Sequence, residues 1–162
     1  MVKILGLDPG LRHTGWGLIK AKDNHLIPLA QGTVDTDSKL SLAERLHILH
    51  KGLLTVLEEH QPDEAAVEET FVNMNASSTL KLGMARGVVL LAPASLNVPV
   101  FEYSANKIKK SVVGVGHADK NQVLVMVQRL LPTLRSTLKP DSADALAAAI
   151  CHAHYRNKLI NI

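Results

Sequence analysis

Ile4, Leu5 and Leu7 form a short apolar run that stops at Asp8-Pro9-Gly10. Such a run, closed by a turn signal, reads as a buried strand over Lys3 to Asp8. Thr14 to Ile19 and His25 to Val34 read as two further strands, with Lys22-Asp23-Asn24 as the hairpin turn between them. The apolar period then changes. Leu42, Leu46, Leu49, Leu53, Val56 and Leu57 keep the three-to-four spacing of one helix face, which predicts a helix over Leu40 to His60. Ser41 and Glu44 resemble a capping box at its start, and Pro62 marks its stop. Ala65 to Glu68 is the next strand. Ala76 to Ala92 is the next helix, ended by Pro93. Val98 to Tyr103 is a strand, Ser104 caps a short helix reaching Val112 or Val113, and Gly114-Val115-Gly116 is a loop. Ala118 to Leu131 and Asp141 to Tyr155 are the last helices. An opening meander followed by alternating strands and helices gives a mixed sheet with helices on its faces. Its parallel part would hold strands one, four and five, joined by right-handed crossovers.

The 162 residues suit a single domain and contain no repeat, linker or low-complexity run. The single cysteine, Cys151, sits among apolar residues and cannot form an intrachain bridge; it reads as core in a reducing compartment. Asp8 interrupts the apolar start, so no secretory signal is visible. The longest uncharged run, Gly87 to Phe101, contains two prolines and is too short for a membrane helix. A cytoplasmic protein is expected. The net charge of +3 is unevenly spread. Residues 1–101 carry 9 basic and 11 acidic side chains, and residues 102–162 carry 9 basic and 4 acidic ones. The basic second part favours a polyanion such as nucleic acid, or is simply a basic solvated surface.

Against that background, acids recur at meaningful places. Asp8 ends the first strand and Glu68 the fourth, so neighbouring strands would bring both to one sheet edge. Ligands of open α/β sheets lie at that carboxyl end. Asp141 and Asp144 open the last helix three residues apart, on one face. The small apolar stretch Ala145 to Ile150 behind them allows a close approach to the sheet. Four converging carboxylates repel unless a cation holds them, and all-oxygen donors suit one or two hard divalent ions. Two such ions can stabilise the attacking and leaving oxygens of phosphodiester hydrolysis. Taken singly, each acid also has a local explanation. Asp8 could be a turn residue, Asp141 a helix cap, Asp144 a first-turn acid, and Glu68 or Glu69 an exposed one. No zinc pattern competes, because His152 and His154 do not share a helix face.

Asp8-Pro9-Gly10-Leu11-Arg12-His13-Thr14-Gly15-Trp16-Gly17 resembles the opening motif of the RuvC-type Holliday junction resolvases, the crossover junction endodeoxyribonucleases. Further blocks follow in that family's order. They are Val67-Glu68-Glu69-Thr70-Phe71, Ser77 to Gly87, Val100-Phe101-Glu102-Tyr103, Lys109 to Gly116, and Asp141-Ser142-Ala143-Asp144-Ala145-Leu146. The resemblance spans nearly the whole chain, 1–162. It implies an α/β, ribonuclease-H-like fold, a five-stranded mixed sheet flanked by helices on both faces. It implies a homodimer that resolves four-way DNA junctions by paired symmetric nicks in homologous recombination and DNA repair, beside a branch-migration motor. It also implies Mg²⁺, two ions per site with Mn²⁺ as a substitute, and attack by metal-activated water that leaves 5′-phosphate and 3′-hydroxyl ends. Carried over by position, Asp8, Glu68, Asp141 and Asp144 are the metal-binding catalytic carboxylates.

Lys109 and Lys120 match basic positions that the family places near DNA, where they can neutralise phosphates or charge building on the scissile group. Lys107 and Lys110 look like supporting phosphate contacts. Arg12 either contacts the DNA backbone or satisfies carbonyls of its own turn. Phe71 lies in a polar loop of a chain with only 3% aromatic residues, and either wedges into the junction or forms a hydrophobic lid. Gly83 and Gly87 in the second helix invite close packing, against a second copy or against the chain's own sheet. Trp16 reads as a packing residue.

Two other classes compete. An actin-like or sugar-kinase-like ATPase also opens with an aspartate-glycine turn, but needs two such domains, and no Gly-x-x-x-x-Gly-Lys phosphate loop is present. A junction-binding module without activity would have no need of four clustered acids.

Overall fold

The computed structural model describes residues 1–69, 75–134 and 138–160. Three antiparallel strands come first: β1 (Val2–Asp8), β2 (His13–Lys22) and β3 (His25–Asp35). Helix α1 (Leu42–His60), strand β4 (Glu64–Glu69), helix α2 (Ala76–Ser95) and strand β5 (Val100–Ser104) follow. Helices α3 (Ala105–Val113), α4 (Lys120–Leu130) and α5 (Pro140–Ile160) complete the chain. The strand order is β3-β2-β1-β4-β5, with β1, β4 and β5 parallel, as the order of elements in the sequence implies.

Alternation along the strands sorts side chains onto two faces. Leu5, Leu7, Leu18 and Val67 pack with Leu49, Leu53, Val56 and Leu57 of α1 and with Ala85, Val89 and Ala92 of α2. Ile4, Ile19, Ala66 and Tyr103 pack on the other face with α3, α4 and α5. The sheet is therefore covered by helices on both faces. Helix α5 comes unusually close to it. A Cβ on Gly6 would stand 1.8 Å from the carbonyl oxygen of Ala145, and one on Gly15 would stand 2.1 Å from that of Asp141. Those two glycines, together with the buried alanines of α5, let the helix backbone lie directly on β1 and β2.

Several boundaries differ from expectation. Helix α1 starts at Leu42 because Ser41 and Glu44 form a reciprocal capping box. Asp119 and Gln122 do the same for α4, which begins at Lys120 instead of Ala118. Pro93 does not end α2, which runs to Ser95. Its missing N–H removes one ladder bond, and the chain end is held by Leu96 and Val98, whose N–H groups donate to the Pro93 carbonyl at 3.1 and 3.0 Å. That turn delays β5 to Val100. Helix α5 continues past Tyr155 to Ile160. The predicted hairpin turn is present, with Asp23 in the left-handed region at φ 52°. Cys151 is buried and its thiol is pushed up to about 11 by burial, so it is inert core. Trp16 packs beneath the α1 side of the sheet, its ring 5.4 Å from that of His60. No helix among the described residues is long and apolar enough to cross a membrane.

Candidate active site

Register brings the first two acids together. Leu7 pairs with Val67 across the parallel β1–β4 ladder, so Asp8 and Glu68 follow one step later. Asp8 has the face parity of Ile4 and Gly6, and Glu68 that of Ala66, so both lie on the α5 side. Asp8 also stands opposite Gly15 of β2, the glycine on which the Asp141 backbone rests. The first turn of α5 thus places Asp141 beside Asp8, and Asp144 lies one helical turn further on.

The electrostatics record this convergence. Burial, followed by the charges of Glu68, Asp144 and Asp141, pushes the Asp8 carboxyl up to about 8. Glu68 is raised by burial and by Asp144; a hydrogen bond with Asp8 and the charges of Lys109 and Lys120 act against this. Asp144 is raised by burial and by Asp141, again opposed by Lys120 and Lys109. Groups this disfavoured as anions form a site short of positive charge. Among the described residues, no three His, Cys, Asp or Glu side chains are spaced as a ready metal-binding group. The donors nevertheless fit a hard divalent ion: all are carboxylate oxygens, and three of the four resist ionisation where they stand. A cation would relieve that cost by drawing them inward.

The basic residues divide. Lys109 on α3 and Lys120 at the start of α4 both act on Glu68 and Asp144, so they border the acidic cluster. Lys107 lies elsewhere on the α3–α5 surface, its Nζ 4.2 Å from the Tyr155 ring centroid and 5.6 Å from that of Tyr103. Lys110 is exposed on α3. Arg12 is exposed in the turn after Asp8, whose carbonyls already have other donors: Thr14 on Gly10, and Thr36 on Leu11 and Arg12. Phe71 lies outside the described residues. A Cβ on Gly83 or Gly87 would meet nothing within 4 Å, so neither packs on the chain's own sheet.

Sequence reasoning did not single out Thr14, Thr36 and Arg45, which tie down the Asp8–Arg12 turn. Nor did it find the polar group in which buried His152 and Tyr103 meet partly exposed Glu64 and Arg156. A sequence signal existed only for Thr14, a small hydroxyl just past the turn.

Comparison with known proteins shows the family and the fold. The family model described as "Crossover junction endodeoxyribonuclease RuvC" matches residues 4–152. The crossover junction endodeoxyribonuclease RuvC of Paramagnetospirillum magneticum is 59% identical over 155 residues, covering 96% of this chain and 93% of its own. That of Granulibacter bethesdensis is 60% identical over 156 residues, covering 96% and 86%. Among solved structures, Thermus thermophilus RuvC in complex with Holliday junction substrate superposes with a TM-score of 0.90 at 33% identity, covering 98% of this chain and 96% of that one. The yeast mitochondrial Holliday junction resolvase Ydc2, at 14% identity and a TM-score of 0.67 over 98% and 82%, shares the fold alone, a ribonuclease-H-like mixed sheet with helices. The chain belongs to the RuvC family of crossover junction endodeoxyribonucleases.

Proposed function

We propose that this protein is a Mg²⁺-dependent endonuclease that resolves four-way DNA junctions by paired symmetric nicks, with Asp8, Glu68, Asp141 and Asp144 as its metal-holding carboxylates. The convergence of three strained carboxyl groups beside Asp141 carries the site assignment. The close likeness to a RuvC solved with a Holliday junction supports the substrate. When bound, divalent ions would supply a nucleophilic water near neutral pH and a Lewis acid for the scissile phosphate. Asp8 and Glu68, fixed on adjacent strands, hold their side of the site rigid. Asp141 and Asp144 close it from a helix seated on bare glycine backbone. Lys109 and Lys120 neutralise phosphate charge at the rim, and Arg12, Lys107 and Lys110 contact backbone further out. Mn²⁺ has the same preference for oxygen donors and is expected to substitute.

Two opposed nicks need two sites, and a two-fold dimer supplies them. Helix α2 offers the surface: Leu80, Gly83, Met84, Gly87 and Leu91 form one stripe, and Leu80, Met84 and Leu91 are 62%, 39% and 57% exposed. Phe71, outside the described residues, is assigned to DNA contact in this reading on the resemblance alone. The family match over 4–152 supports one nuclease domain spanning 1–162. A cytoplasmic protein working beside a branch-migration motor, in recombination and repair, is the setting that family membership suggests.

The test is cleavage of a synthetic mobile four-way junction. Paired symmetric nicks in Mg²⁺, lost on chelation, are expected. Binding without cleavage across divalent metals and junction sequences would leave only a binding module.

A further inference from the structure

The turn between Asp8 and Arg12 is tied at each of its last three carbonyls. Thr14 is fully buried; its hydroxyl donates to the Gly10 carbonyl at 2.6 Å and accepts the Gly10 N–H at 3.2 Å. The Thr36 N–H donates to the Arg12 carbonyl at 3.0 Å, and the Thr36 hydroxyl donates to the Leu11 carbonyl. That hydroxyl has one proton, spent on Leu11, and its lone pair accepts Nε of Arg45 at 3.0 Å. Arg45 belongs to α1, on the sheet face opposite the acidic cluster. Thr36 is only 6% exposed, so water cannot readily replace these bonds. Space is as tight as the bonding: a Cβ on Gly10 would stand 2.3 Å from the His13 carbonyl oxygen.

We propose that Thr36 and Arg45 are a pair of positioning residues for junction cleavage: they clamp the Asp8–Arg12 turn from the α1 side, keeping Asp8 in register with Glu68 and leaving the Arg12 guanidinium free for a phosphate. The inference rests on the reading of Asp8 as a metal-holding carboxylate. A clamp of this kind acts on the cutting step, because small displacements of a reacting constellation are costly there.

The experiment measures single-turnover nicking of a synthetic mobile junction at saturating enzyme across a Mg²⁺ series, with melting temperature followed in parallel. Thr36→Val removes both hydroxyl bonds at constant shape, Thr36→Ser restores them, and Arg45→Met keeps the aliphatic stem. Thr36→Val and Arg45→Met are each expected to slow nicking roughly tenfold and to raise the half-saturating Mg²⁺ concentration. Thr36→Ser should nick at the wild-type rate, and the double variant should be no slower than the worse single one. Wild-type rates and an unchanged Mg²⁺ midpoint in Thr36→Val and Arg45→Met would overturn the proposal. So would slowing that matches lost folded protein and is not rescued by serine. If Thr36→Val does not fold, Arg45→Met decides by the same readouts. Asp8→Asn, run alongside, separates the two readings: nicking by that variant overturns the acidic site itself, whereas an inert Asp8→Asn beside a full-rate Thr36→Val and Arg45→Met overturns only the clamp.

Discussion

Helix α5 covers carboxylates at two points of the sheet, and the two are treated oppositely. Towards its far end, Glu64 accepts from His152 Nε2 at 2.7 Å and from Arg156 Nε at 3.0 Å on both oxygens. His152 is 1% exposed, stacks on Phe101 at 4.4 Å, and meets the Tyr103 hydroxyl at 2.6 Å through Nδ1. Burial lowers the His152 pKa and raises that of Tyr103 to about 12. The neutral ring therefore donates to Glu64 and accepts from Tyr103, and every group has a partner. At the first turn of α5, Asp8, Glu68 and Asp144 crowd together with Lys109 and Lys120 at the rim. A carboxylate with its charge answered is structure. Carboxylates that are half buried with their charge unanswered store a demand for a cation or a substrate.

The sharpest way to break this contrast is Asp8→Asn. Nicking should fall by about a thousandfold or more, in line with losing a group essential to catalysis. With chelator present the same variant should melt higher than wild type, because the cost of burying an ionisable carboxyl among other acids is gone, and Mg²⁺ should raise its melting temperature less. A lower melting temperature would place Asp8 with the answered, structural carboxylates.

The His152 end should respond in the opposite sense. His152→Ala is expected to cost about 2–4 kcal/mol in denaturant unfolding, through a cavity and two broken hydrogen bonds, while the folded fraction still nicks. The pH dependence follows from the direction of its shift. Its folded pKa lies below the ordinary value near 6.5, so its contribution is complete above about pH 6.5 and is lost as pH falls below it. Glu64, Arg156 and Tyr103 face the ring. A melting temperature that falls just as steeply below pH 6.5 in His152→Phe as in wild type would remove His152 from that account.

Lys120→Ala should slow nicking about tenfold through lost charge stabilisation, with a smaller loss in junction binding. Last in size on stability is the α2 stripe. Leu80→Glu with Leu91→Glu should change unfolding free energy by no more than about 0.5 kcal/mol per site, yet give monomers by sedimentation. A dimer that persists would move the interface elsewhere.

Much of this contrast was legible beforehand, and the failures have physical causes. Asp8 and Glu68 stood at strand ends, and Asp141 and Asp144 on one helix face, so local period alone placed four acids at compatible positions. Pro93 was misread: its missing N–H costs one ladder bond, but the helix still runs on to Ser95 before the chain turns on the Pro93 carbonyl. Glu64 drew no attention, and His152 was weighed only as a zinc ligand, since only long-range packing joined them. That Thr14 and Thr36 supply donors to the carbonyls of the Arg12 turn was not legible either, because Thr36 reaches it from 24 or more residues away.

By itself, the sequence determined the order of strands and helices, the sites of capping and turning, and the acids at strand and helix ends. These are local consequences of period, capping chemistry and backbone restriction. Only the tertiary structure decided which charges are answered. That depends on which side chains meet across 57 to 92 residues of chain, as Lys3 meets the His60 carbonyl and Glu64 meets Arg156. It depends equally on α5 settling onto the bare backbone of Gly6 and Gly15, where no side chain holds it away.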